Sequence, residues 1–340
     1  MQLLEMNSHG ASVQQALAVA RTYRERNSWK ASAAIANNYL MAASCIALVE
    51  WASGTSHISA SVSTALYLLS ISIIASRMRA LENLVHEASH NNLFPSTPLH
   101  QRLQFLYAFP VFRVLEDYRW SHMIHHKHLG NPQRDPDAVR LHNLGLDNLP
   151  QRPIWYLLGM PMTGYLTYEF LTTTFCEFWE SSSSRLSKSV FWFVVMFTLW
   201  WTATFQQFFY YYLIPFLAIL PVTRYWAEAA EHLGLDLSGA FGSSRTNIGF
   251  LHVWFINPHN DGYHGAHHLC RQIPFHLLPT AHLHLMKSSN EFAAKSTISH
   301  GIYETFSQVA TKQTIFKNVA GNEASAITMP MHNAAKKLDR

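Results

Sequence analysis

Uncharged apolar stretches recur along this chain at lengths that match a bilayer. The first runs from Ala31 to Val49, interrupted by Asn37 and Asn38, and is closed by Glu50. The second has its body between Ile58 and Ser76 and is closed by Arg77 and Arg79. Only the turn from Trp51 to His57 separates the two. From Ser189 to Thr223 there is no charged residue. A single helix of that length would reach ~50 Å, well beyond ~30 Å of hydrocarbon. The stretch therefore reads as two short spans that break near Thr202 to Gln207. The pattern predicts an all-α membrane protein with four transmembrane helices, at about 31–49, 58–76, 189–205 and 208–223, paired as two hairpins. Buried helices of a large soluble protein would be as apolar, but the charges here are segregated. Neither short turn carries Lys or Arg, so the positive-inside rule puts the polar part and both termini in the cytoplasm.

The remaining segments form the polar part. Expected are an N-terminal segment 1–30, an integrated domain 31–285 whose cytoplasmic helical cap is 77–188 plus 224–285, and a tail 286–340. Leu99 to Val114 and Ile154 to Phe170 are apolar but interrupted by Arg102, Pro110, Pro161 and Glu169, which suits interfacial helices or the core of the cap. Ser181 to Ser184 and Gly234 to Ser244 read as loops. No charged n-region precedes a small-residue cleavage site, so no removable signal is expected.

Composition supports the membrane assignment: 49% of residues are hydrophobic and 14% charged, against roughly a quarter charged in an average soluble domain. Mean hydropathy is near zero, so the spans must be balanced by a sizeable polar part. The net charge of +4 comes from scattered basic residues and does not point to nucleic acid. Cys45, Cys176 and Cys270 form no CxxC, which excludes a thiolate zinc site.

The outlier is histidine, with 21 in 340 residues, and imidazole is the commonest protein metal ligand. His86 and His90 follow the second span at i and i+4, one face of a helix that can continue out of the bilayer. His122, His125 and His126 form an HxxHH box, and His264, His267 and His268 repeat that spacing. Such a stripe can serve two neighbouring ions. At this histidine frequency two HxxHH boxes arise by chance in well under about one protein in a hundred. His232 follows the fourth span as His86 follows the second, with Glu228 one turn behind it. His9, His57, His142, His300 and His332 lie away from the boxes. His100, His128, His252, His259, His276, His282 and His284 are nearer and suit supporting or packing roles.

Boxes of the form HxxxH, HxxHH and HxxHH between two helix hairpins resemble the membrane fatty acid desaturase superfamily, over roughly Ala31 to Leu285. Asp135-Pro136-Asp137 after the second box, and Asn260 with Tyr263 before the third, look like its flanking pattern. The resemblance implies a mushroom-shaped protein with two irons held by His86, His90, His122, His125, His126, His232, His264, His267 and His268. Glu228 and Asn260 are further candidate ligands. Two departures stand out: Gly262 stands where the family often shows a second Asn before the third box, and a position near Glu228 is Asn in some relatives. The HPGG heme signature is absent, so electrons would come from an external donor such as a ferredoxin or cytochrome b5.

Spacing alone does not choose among Fe, Zn, Cu and Ni; the resemblance chooses iron, with O₂ as co-substrate. An all-nitrogen site leaves the metal charge uncompensated. Glu87, Asp135, Asp137, Glu231 and Asp261 are candidates to accept the distal N–H of ligand imidazoles, and Asp135-Pro136-Asp137 could equally cap a turn. The expected activity is desaturation of an acyl chain carried on CoA, an acyl carrier protein or a phospholipid, in a bacterial cytoplasmic membrane. Hydroxylases and ketolases acting on lipids, carotenoids or small amino-acid-derived substrates share the boxes. A histidine-rich transporter or sensor would place ionisable groups inside its spans. Trp192, Phe193, Trp200, Trp201 and Phe208 to Tyr212 could line an acyl tunnel or face lipid.

Overall fold

The computed structural model describes residues 2–146 and 155–317, with side chains from residue 10 onward. The tail beyond 317, including His332, lies outside the described residues. Helix α1 (Gln2–Ala20) precedes α2 (Ser28–Gly54) and α3 (Ala60–Ser89). Asn27 caps α2 by accepting from the Lys30 amide, and Ser59 caps α3 through the Val62 amide. The two pack along their lengths as the first hairpin. Without Gly or Pro after Ser76, α3 runs on through His86, as its sequence predicts.

The second hairpin is α6 (Arg185–Thr202) and a continuous α7 (Phe205–His232). The break falls at Ala203, which adopts a left-handed conformation (φ 55°) and ends α6. Two widened turns, Phe209–Leu213 and Pro215–Ile219, interrupt α7 where Pro215 cannot donate a backbone hydrogen bond. Three helices, α2, α3 and α7, are long and apolar enough to cross a membrane. The uncharged part of α6 is shorter than the pattern suggests. Its first turn carries Arg185 and Lys188, and Lys188 is buried, donating to the carbonyls of Phe178 and Ser181. The uncharged remainder, Ser189 to Thr202, reaches roughly 21 Å.

The aromatic residues of this hairpin divide. Phe193, Trp200 and Trp201 face outward, whereas Trp192 is buried and stacks on Phe112 with centroids 4.4 Å apart. Phe208, Tyr212 and Phe216 stack in succession along α7. Such ring pairs contribute about 0.5–1.5 kcal/mol each beyond the area they bury. They tie the hairpin to the segment 109–112, where Phe109 and Val111 are buried. The apolar run from Leu99 is therefore largely core.

The polar part holds α4 (Leu115–His128), α5 (Pro136–Asn143), α8 (His264–Leu269), α9 (Leu278–Ser288) and α10 (Ile302–Thr311). A two-stranded parallel sheet, β1 (Arg245–Asn247) with β2 (Thr297–Ser299), was not expected; strands of three residues are too short to show a period-two pattern. Helix α1 packs on α8 and α9, with Ala16 and Ala20 buried against Ala281 and Leu285. The N-terminal helix thus braces the third histidine box.

Candidate metal centre

The eight box histidines and His232 meet in the polar part, where α3, α4, α7 and α8 converge. They sort into two groups: His86, His90, His122, His126 and His267, and His125, His232, His264 and His268. Helical geometry accounts for the division. Residues at i and i+4 are offset by roughly 40° around the helix, and i+3 falls roughly 60° to the other side. Accordingly His122 and His126 enter the first group while His125 crosses to the second. His264 and His268 enter the second while His267 crosses to the first. The two HxxHH boxes exchange one histidine each, which sets the groups side by side, with the His126 and His268 rings stacked at 4.3 Å.

Within each group the Nε2 atoms point inward. His86 Nε2 is 3.0 Å from His267 Nε2, His90 Nε2 is 2.9 Å from His122 Nε2, and His126 Nε2 is 3.0 Å from His122 and 3.2 Å from His267. In the second group His264 Nε2 is 3.2 Å from His232 and 3.1 Å from His268, which is 3.4 Å from His125. The distal nitrogens define tautomers. His232 Nδ1 lies 2.8 Å from the Ser243 carbonyl, which can only accept, so Nδ1 carries the proton and Nε2 presents a lone pair. Burial and repulsion among the rings hold His122, His126, His264, His267 and His268 below the usual imidazole range, so they are neutral at pH 7. Neutral imidazoles converging through lone pairs suit a soft or borderline divalent cation, and iron among them.

His125 differs. Burial lowers its pKa, but Asp135 and Asp137 overcome this and lift it to about 9. Its Nδ1 donates to Asp135 Oδ1 at 2.8 Å and lies 3.2 Å from Asp137 Oδ2. The same Asp135 oxygen accepts from the Asp137 amide and caps α5, with Pro136 at the first helical position. Capping and ligand orientation are one device here. Replacing Asp135 by asparagine keeps a competent cap but removes the charge behind His125. Metal held by the second group should then bind about 10–100-fold more weakly, as read by competition with a chelator, while the thermal midpoint of the metal-free protein changes little.

The other candidates meet different fates. Asp261 lies 3.1 Å from His86 Nδ1, near but off the line of a hydrogen bond, and 3.4 Å from Arg79. Glu87 does not serve a histidine; its carboxylate accepts from the Phe275 amide at 2.7 Å and ties down the chain after the third box. Glu228 joins neither group, because Arg140 pairs with it closely and Arg224 lies 3.9 Å away. Asn260 donates to the Phe275 carbonyl instead of turning inward. Glu231 is not beside a distal N–H, since its Oε2 is 3.8 Å from His264 Nε2. Among the nearer histidines, His100, His252, His259 and His284 are engaged by Phe94, Thr305, Asn38 and Tyr23.

Supporting residues that sequence reasoning did not single out are mostly arginines. Arg79 links Glu82, Asp261 and Glu231. Arg140 grips Glu169 through two hydrogen bonds of 2.6 and 2.7 Å. Arg245, fully buried in β1, donates to the carbonyls of Ala230 and Leu233 and so satisfies the end of α7 at His232. The segment Thr314–Lys317 closes over the second group by bonding to Gly234, Leu235, Leu237 and Gly130. Phe316 and Thr314 line a small cavity with His125, Asp135 and His232. Isolated arginines and a tail segment carry no spacing that would mark them.

The sequence profile of the fatty acid desaturase family matches residues 62–296, well over half of the chain and every residue of both groups. The chain belongs to the fatty acid desaturase family. It is similar to the dihydrorhizobitoxine desaturase of Bradyrhizobium elkanii, 28% identical over 238 residues that cover 65% of this chain and 68% of that protein. Family membership makes this desaturase-family chain an oxidoreductase of the desaturase or hydroxylase type rather than a metal transporter or sensor. Its long apolar helices fit a membrane protein.

Proposed function

We propose that this chain is a membrane-bound desaturase that uses O₂ and two irons to place a double bond in a fatty acyl chain, with electrons from an external donor such as a ferredoxin or cytochrome b5. The reading is carried by the convergence of nine imidazole nitrogens in two adjoining groups inside the stretch that matches the family. His86, His90, His122, His126 and His267 would hold one iron, and His125, His232, His264 and His268 the other. Iron bound there supplies the redox chemistry that activates O₂ for oxidation of an unactivated C–H bond. The chain's own residues orient and tune that centre. The Ser243 carbonyl and Asp135 fix the rings of His232 and His125, while Asp135, Asp137 and Asp261 offset positive charge. Burial of most of the ligand rings keeps bulk water away from the reacting carbon.

The segregation of Lys and Arg supports four spans, with the boxes and both termini on the cytoplasmic side of a bacterial membrane. Helix α6 would be the short span. A second reading is favoured by the name of the relative: the substrate is then a small metabolite, as dihydrorhizobitoxine is for that enzyme.

The test compares lipids and small metabolites by untargeted mass spectrometry in aerobic cells with and without the chain. An acyl species lighter by two hydrogens is the expected result. A polar metabolite lighter by two hydrogens selects the second reading, and a species heavier by one oxygen replaces desaturation by hydroxylation. Identical profiles from cells supplied with iron and a reductase system reject the proposal.

A further inference from the structure

The two histidine groups are unequal: one gathers five nitrogens and the other four. Beside the smaller group stands Glu231, 9% exposed, one residue before His232 on α7. Its Oε2 is 3.8 Å from Nε2 of His264, the nitrogen that also faces His232 and His268. Its Oε1 is 4.0 Å from Arg79, which holds Asp261, the carboxylate next to His86 of the larger group. The His86 and His264 rings are 6.4 Å apart across this seam.

Every other carboxylate nearby already has a partner atom that carries hydrogen. Asp135 and Asp137 have His125 Nδ1, Asp261 has Arg79, Glu87 has the Phe275 amide, Glu228 has Arg140, and Glu82 has Arg79, Arg224 and Arg113. Among the described residues Glu231 accepts no hydrogen bond within 3.5 Å. Where His264 Nε2 carries a lone pair, a buried carboxylate facing it meets repulsion, and Arg79 at 4.0 Å offsets its desolvation only in part. A cation between them reverses both terms. Two donors that bind one ion at about 2.0–2.2 Å each stand at most about 4.4 Å apart; the 3.8 Å to His264 falls within that reach, whereas the carboxylate lies outside the set that the four histidines form together and would turn toward them as the ion is bound.

We propose that Glu231 is a metal ligand, the fifth donor of the four-histidine group, contributing a carboxylate oxygen on the face turned toward the five-histidine group. The inference rests on the reading that both groups hold iron. It makes the two ions chemically distinct, one ligated by nitrogen alone and the other by four nitrogens and an oxygen. The anionic donor also offsets charge on the second iron, where His125 already leans on two carboxylates.

The test measures iron per chain and Mössbauer spectra of ⁵⁷Fe-loaded, detergent-purified full-length protein, for wild type, Glu231→Gln and Glu231→Asp. Wild type should bind two irons and show two quadrupole doublets. In Glu231→Gln one doublet should shift or vanish, with iron falling toward one per chain, and the other should stay as in wild type. Glu231→Asp keeps the oxygen donor on a shorter arm and should retain more of the second iron, so the comparison stands even if the glutamine variant does not fold. Wild-type iron content and both doublets unchanged in Glu231→Gln, or a second iron lost from Glu231→Asp as fully as from Glu231→Gln, would overturn the assignment and leave Glu231 as a partner of Arg79 alone. A wild-type chain that takes up no iron would instead overturn the underlying reading.

Discussion

Replacing His267 by alanine is expected to abolish product formation, with activity falling by more than the roughly 10–100-fold seen when only an outer partner of a metal ligand is removed. His267 is the one residue of the third box that enters the five-histidine group, where its Nε2 is 3.0 Å from His86 and 3.2 Å from His126. It links a ligand from α3 to one from α4, so its loss opens the group where three chain segments meet. Iron should fall from two toward one per chain. The stability readout separates this from a folding defect. In the metal-free protein His267 is a buried ring whose Nε2 lies beside those of His86 and His126, and its truncation should lower the thermal midpoint by no more than a few degrees. Iron stabilises the native state by mass action, so the increase in midpoint on loading should shrink in the variant. A metal-free variant that melts far below wild type would instead make His267 a packing residue.

Much of this site was legible in the sequence because its information is local. The i, i+3, i+4 spacing of His122, His125 and His126 sets three rings on one stripe wherever a helix forms, and the uninterrupted run from Ala60 to Ser89 carries His86 out of the apolar zone. His232 was readable only by analogy of position with His86, and the structure brings it within 3.2 Å of His264. What sequence could not supply depends on contacts between distant segments. Glu87 and Glu228 have the right chemistry and sit close to the clustered histidines in the chain, yet the Phe275 amide and Arg140 claim them from far away in sequence. The division of boxes between the two groups is likewise a property of how α4 and α8 face each other. The charges closing each apolar stretch mark where the run turns polar and not where the helix ends: α3 continues past Arg77 to Ser89 and α7 past Arg224 to His232, while Lys188 finds two carbonyls and is drawn inside the protein.

Substitution of Gly262 by alanine should destabilise the fold by about 3 kcal/mol or more, at the upper end of overpacking costs, and should lower the iron content of both groups. The glycine lies two residues before His264. A Cβ there would stand 2.1 Å from the backbone carbonyl oxygen of Asn247. That carbonyl belongs to β1, which is fixed on both sides: the Asn247 amide donates to the Gly262 carbonyl at 2.7 Å, and β1 pairs with β2. Neither backbone can retreat without breaking this hydrogen bond or the sheet. Arg245 in the same strand satisfies the end of α7 at His232, so moving β1 disturbs His232 as well as α8. A close backbone approach therefore excludes a Cβ at position 262, and any larger side chain would meet the same carbonyl. Thermal unfolding and iron analysis of Gly262→Ala check this. A midpoint and iron content equal to wild type would show that the loop before the third box yields easily, and that the glycine has no steric role.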